Sequence, residues 1–146
     1  MDLKDTLKES LKGRLRRFSK SDVQTREECI YFPKDRNELI DIIDQRLKED
    51  TECDLNDVWV GDITDMSYLF ERIQFNGDIS RWDVGNVKSM VGMFYKSSFI
   101  GDISNWDVSN VRDMGGMFYE SSFIGDLSRW DVSNVKWMTS MFEKSK

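Results

Sequence analysis

The chain has no histidine among its 146 residues. That removes the side chain most used as a general base near neutral pH, the commonest metal ligand, and the Ser-His and Cys-His nucleophile pairs. The expectation is a protein that is not an enzyme and needs no cofactor or metal. Cysteine is almost as scarce. Cys29 and Cys53 are too few for a disulfide scaffold or a zinc site, and the simplest reading is two reduced, buried thiols. No long apolar run exists either. The opening residues, MDLKDTLKESLKGRLRRF, carry a charge every few positions, which fits neither a secretory signal nor a membrane span, so the chain as written is expected in the cytoplasm. Basic side chains are outnumbered, 21 against 27, and the net charge of −6 disfavours a general nucleic-acid binder that must neutralise phosphates.

What the chain does have is repetition. FNGDISRWDVGNVKSMVGMFYKSS (75–98) is followed by FIGDISNWDVSNVRDMGGMFYESS (99–122) and FIGDLSRWDVSNVKWMTSMFEKSK (123–146), a period of 24 residues. Stacked repeat units have periods in this range. The register extends backwards: DLNDVWVGDITDMSYLF (54–70) places Leu55 over Ile79, Val60 over Val84, Ile63 over Val87, Met66 over Met90 and Phe70 over Phe94. That makes four units over 51–146, the first of them degenerate, as a terminal repeat should be.

Within a unit, Ile103, Trp106 and Val108 suggest a short strand with Asp107 pointing away. Val111, Met114, Met117 and Phe118 fall at i, i+3, i+6 and i+7, the spacing of one face of a short helix. The pattern therefore predicts an α/β solenoid of about four 24-residue strand-helix coils. Stacking at the ~4.8 Å strand spacing would set each apolar residue on its counterpart and build columns of Phe, Trp and Met. Upstream, ECIYFP resembles a strand. KDRNELIDIIDQRLKED, with a capping-box spacing at Asp35 and Glu38 and apolar Leu39, Ile42, Ile43 and Leu47, predicts an amphipathic helix. Residues 25–50 would then form a strand-helix cap over the amino-terminal edge. Residues 1–24 form a basic segment, with a leucine stripe at Leu3, Leu7, Leu11 and Leu15 that predicts a helix and SKSDVQT as a linker.

Candidate binding residues are those that packing leaves free to vary. Arg81, Asn105 and Arg129 flank the column Asp83, Asp107 and Asp131, which together would make a mixed strip suited to hydrogen-bonded protein recognition. Trp137 stands where Ser89 and Asp113 stand in other units, on an outward position, and aromatics concentrate at interface hot spots. The aspartate columns could hold calcium, but Asp in Gly-Asp and Asp-x-x-Asn sequences more often accepts hydrogen bonds from its own turn. The last unit is expected to have no polar cap over its outer face. Leu127, Trp130 and Phe142 are therefore expected on an open edge that associates with a second copy as a two-fold homodimer, or with a partner.

The pattern F-x-G-D-I-S-x-W-D-V-S-N-V-x-x-M-x-x-M-F at 99–118 and 123–142 resembles the repeat of bacterial BspA-like surface proteins and mycoplasma-type lipoproteins of unknown function. The resemblance covers roughly 51–146. It implies a leucine-rich-repeat-like fold that binds other macromolecules, often at a cell surface, with no catalytic motif to carry over. The function expected is a non-enzymatic protein-protein interaction module. The alternative is a small intracellular inhibitor or regulator of a host enzyme, encoded by a mobile element, whose acidic strip occludes a basic site.

Overall fold

Aspartates bend each unit at regular intervals. Asp102 Oδ1 accepts the Ser104 N–H at 2.9 Å, and Asp107 Oδ1 accepts the Ser109 N–H at 3.0 Å. The same pair recurs at Asp78 and Asp83 in the unit before, and at Asp126 and Asp131 in the unit after. A turn closed by such a side chain offers the backbone a local partner in place of a sheet ladder. Backbone turns follow, from Trp106 N–H to the Ile103 carbonyl and from Val111 N–H to the Val108 carbonyl. In the computed structural model, which describes residues 22–146, the stretch expected as a strand is two successive bends.

The stretch expected as a helix is not one either. Between 114 and 121, one set of N–H groups closes i to i−3 turns: Met117 to Met114, Tyr119 to Gly116 and Ser121 to Phe118. The alternating set points along the stack, where Met114, Gly116, Phe118 and Glu120 donate to the carbonyls of Trp137, Thr139, Met141 and Glu143 at 2.8–2.9 Å. A helix would spend all of these donors on itself. Gly116 at φ 61 and Glu120 at φ 49 are left-handed, and the same two places recur as Tyr68 and Arg72, Gly92 and Lys96, and Ser140 and Lys144. The i, i+3 spacing of apolar residues thus marks consecutive turns.

Among the described residues, the only α-helix lies outside the repeats and no β-strand forms, so the predicted α/β strand-helix solenoid is corrected. What links the units is a set of isolated parallel bridges, Asp54 to Asp78, and Asp65 to Ser89 to Asp113 to Trp137. The units lie on one another in the 24-residue register. Rings repeat along the stack: Phe70, Phe94, Phe118 and Phe142 follow one another at 5.6, 5.7 and 5.4 Å between centroids. Each Trp of the inner column sends Nε1–H back one unit, Trp82 to the Leu55 carbonyl, Trp106 to Ile79 and Trp130 to Ile103, at 2.8–3.0 Å. Buried indoles are thereby satisfied by the turn below.

The amino end is closed. Helix α1 (Arg36–Glu49) starts where Asp35 accepts the Glu38 N–H at 2.9 Å, and its Leu39 and Ile43 join the core. Arg46 grips Asp57 with two hydrogen bonds and reaches the Asp54 carbonyl, while Arg36 donates to the Ser67 carbonyl. The stretch 28–33 read as a strand makes only the bridge from Tyr31 to Val58, preceded by a 3-10 turn at Arg26–Glu28. The leucine stripe predicted at 3–15 lies outside the described residues.

Candidate functional site

The lateral strip forms only in part. At its amino end Arg81 is drawn into the closure, pairing with Glu28 at 2.7 Å, and its carbonyl accepts the Gln24 N–H. Asp83 is half-buried and holds the Gly85 N–H. The strip is open further along, where Arg129 donates to Asn105 at 2.8 Å beside exposed Asp107 and Asp131. Hydrogen bonds from Ser133 hold the Asp131 carboxyl below the usual range, and bonds from Ser104 and Ser128 do the same for Asp102 and Asp126. Asp78 is pushed upward by burial, but the Ser80 and Asn56 bonds outweigh it and bring it down. The first call on each carboxylate is therefore its own turn. Among the described residues, no group of three His, Cys, Asp or Glu side chains is placed to hold a metal.

The carboxy-terminal face is where apolar surface gathers. Trp137 is 56% exposed, Met138 42% and Phe142 53%, with Val132 beside them at 38%. Leu127 is half-buried, and Trp130 is buried, 8% exposed, because its indole leans back on Phe118. Phe142 stacks one ring face on Phe118 and leaves the other open. Counting from the interior units, Met138, Ser140, Phe142 and Lys144 carry the N–H groups that would donate to a following unit, and none meets an acceptor among the described residues. The Ser133 and Lys136 carbonyls match those of Ser109 and Arg112, which accept from Asn134 and Lys136 one unit on, and they too face no donor among the described residues. One face thus presents donors, acceptors and apolar area together.

Two features escaped sequence reasoning. Gln24, read as linker, is 3% exposed; its amide donates to the Asn56 and Val58 carbonyls and accepts the Val60 N–H at 3.0 Å. A lone Gln in a polar stretch gives no periodic signal. The second is a cationic column at Lys88, Arg112 and Lys136, one residue after each Asn-Val, which reading down the 24-residue register would have found. Both thiols are free: Cys29 is buried and pushed up to about 11 by that burial, with Asp57 and Glu28 adding to it, so it is a weak nucleophile at neutral pH. No described helix is long and apolar enough to cross a membrane.

Turn-built units in register, with an apolar end and no convergent metal-binding group among the described residues, define a repeat protein. The chain belongs to the family described as "Mycoplasma protein of unknown function, DUF285", which matches residues 43–146, from within α1 through the last unit. No curated protein and no solved structure matches the chain.

Proposed function

We propose that this protein is a non-catalytic protein-binding module that engages a partner through its carboxy-terminal face. The observation that carries the reading is the exposure of Trp137, Met138 and Phe142 together with a row of undonated N–H groups on the same face. Apolar side chains beside unmet backbone donors suit a polypeptide, which covers the rings and supplies carbonyls in one contact. The BspA-like resemblance supports the same class, since its members bind other macromolecules.

A second copy is the partner this face suits best. Because it presents donors at 138–144 and acceptors at Ser133 and Lys136, a two-fold axis between them can set each donor row against the other copy's acceptors. Head-to-tail stacking is disfavoured, as Gln24 and α1 already occupy the amino end. Light scattering on the full chain at micromolar concentration tests this reading. A dimer is expected, and Phe142→Lys or Leu127→Lys is expected to give a monomer with an unchanged far-ultraviolet spectrum. A monomer at high micromolar concentration would sink the homodimer.

A further inference from the structure

The stack has a second polar feature, on its flank. Backbone hydrogen bonds run from Lys88 N–H to the Thr64 carbonyl, from Arg112 N–H to Lys88, and from Lys136 N–H to Arg112, at 2.8, 2.9 and 2.7 Å. The three cations are thus held in one column by the main chain, at the ~4.8 Å spacing of paired strands. Asn86, Asn110 and Asn134 form a parallel column beside them, each sending its side-chain N–H back to the carbonyl of Gly61, Gly85 or Ser109 at 2.6–2.7 Å. That bond fixes each amide and leaves its oxygen available. Together the six residues line a shallow groove of about 540 Å³.

The absence of carboxylates from this groove is the telling fact. Residues 1–21 hold seven of the 21 basic and three of the 27 acidic side chains, so the described part carries 14 against 24. In so acidic a molecule, Arg26, Arg46, Arg81, Lys96 and Lys144 each hold a carboxylate. Lys88, Arg112 and Lys136 meet none among the described residues, and all three are exposed. Like charges stacked at single-unit spacing repel, and an anion laid along them relieves that repulsion.

We infer that the Lys88–Arg112–Lys136 groove binds an extended acidic polypeptide segment laid along the stack. Cations alone would take any polyanion, but the Asn oxygens between them call for donors, which peptide N–H groups supply and phosphodiester backbones largely lack. The groove's lining has no aromatic platform on which sugars or bases could stack. The strongly acidic remainder repels densely charged nucleic acid more than a peptide with spaced carboxylates. In an extended chain of the polyproline II type, which has three residues per turn, carboxylates three residues apart share one face about 9 Å apart, close to the span from the first cation to the third. This site is separate from the carboxy-terminal face.

Anisotropy of a labelled ten-residue peptide with glutamate at every third position and serine between, titrated with the full chain at low salt, tests the inference. Arg112→Glu is expected to weaken binding at least tenfold, and the triple change K88Q, R112Q, K136Q to abolish it. Phe142→Lys is expected to leave it unchanged, which separates this site from the proposed dimer face. Lys48→Gln with Lys146→Gln, two cations outside the groove, should shift the affinity less than twofold. An equal loss in that control would make the binding diffuse charge attraction and overturn the site. Tighter binding of oligothymidylate or a sulfated polysaccharide of matched charge would overturn the ligand class. The triple variant should melt at the same temperature or higher, because repulsion is removed; a fall of several degrees would assign the column to folding and overturn the inference.

Discussion

The third and fourth units carry nearly the same sequence and differ in what covers them. Val108, Met114 and Phe118 are 0–1% exposed, whereas their counterparts Val132, Met138 and Phe142 are 38%, 42% and 53% exposed. Ile100 and Ile124, by contrast, are open in both, at 55% and 75%. Burial at the first three positions is therefore supplied by the next unit, while exposure at the fourth is a property of the unit itself. In a stack of identical parts, a residue's energetic weight depends on its neighbour more than on its own identity.

The sharpest way to break this comparison is to truncate the same side chain in both units. Phe118→Ala is expected to cost on the order of 3–5 kcal/mol, because it empties a column between Phe94 and Phe142, while Phe142→Ala in monomeric protein should cost less than about half of that. Denaturant titration reads both; equal losses would mean that the fourth unit is covered in solution. If the homodimer forms, the gap should narrow as protein concentration rises.

The closed amino end extends the contrast. Gln24→Ala leaves the Asn56 and Val58 carbonyls and the Val60 N–H without their buried partner, with an expected loss on the order of 1–3 kcal/mol. Hydrogen exchange at Val60 should speed up in that variant. Unchanged protection there would mean that water replaces the amide without penalty.

Room for a side chain at one left-handed position distinguishes the second unit from the third. Gly92 and Gly116 are both left-handed, at φ 58 and 61, but a Cβ on Gly92 would strike the Tyr68 ring, whereas one on Gly116 would first meet Tyr95 at 3.9 Å. Gly116→Ala should cost about 1–2 kcal/mol for the conformation alone, and Gly92→Ala should cost more. Melting curves that rank them the other way would show that Tyr68 swings aside freely.

The smallest expected effect is on acid stability. Asp78, Asp102, Asp126 and Asp131 have carboxyls held below the usual value, so they bind protons less readily folded than unfolded. Their contribution is present above the unfolded carboxylate range near pH 4 and is lost as pH falls through the lowered folded values. Asp102→Asn keeps an oxygen for Ser104 but removes the titration, and should flatten the fall in melting temperature below pH 4. An unaltered slope would exclude Asp102 from it.

How much of this was legible is best seen position by position. The column partners, from Leu55 over Ile79 to Phe70 over Phe94, could be read directly, because a fixed period forces equal residues to equal places. Helix α1 was legible from Asp35, Glu38 and the apolar spacing behind them. The strand and helix within each unit were misread for a specific reason. Alternating apolar residues around Asp107, and i, i+3 spacing from Val111 to Phe118, are also what successive turns produce, and the two Asp-x-Ser steps at Asp102 and Asp107 were the competing signal. The pairing of Arg81 with Glu28 could not be read in advance, because the two lie 53 positions apart in the chain.

By itself the sequence determined the 24-residue register, the identity of each column, the closure helix and the lack of a histidine for acid-base work, since all of these follow from composition and local spacing. Only the tertiary structure decided which copies of a repeated side chain are covered, which N–H groups point along the stack, and that three cations share a groove that no carboxylate of the described residues enters. Those outcomes depend on distant backbone hydrogen bonds and on the presence of a neighbour, and no local pattern encodes either.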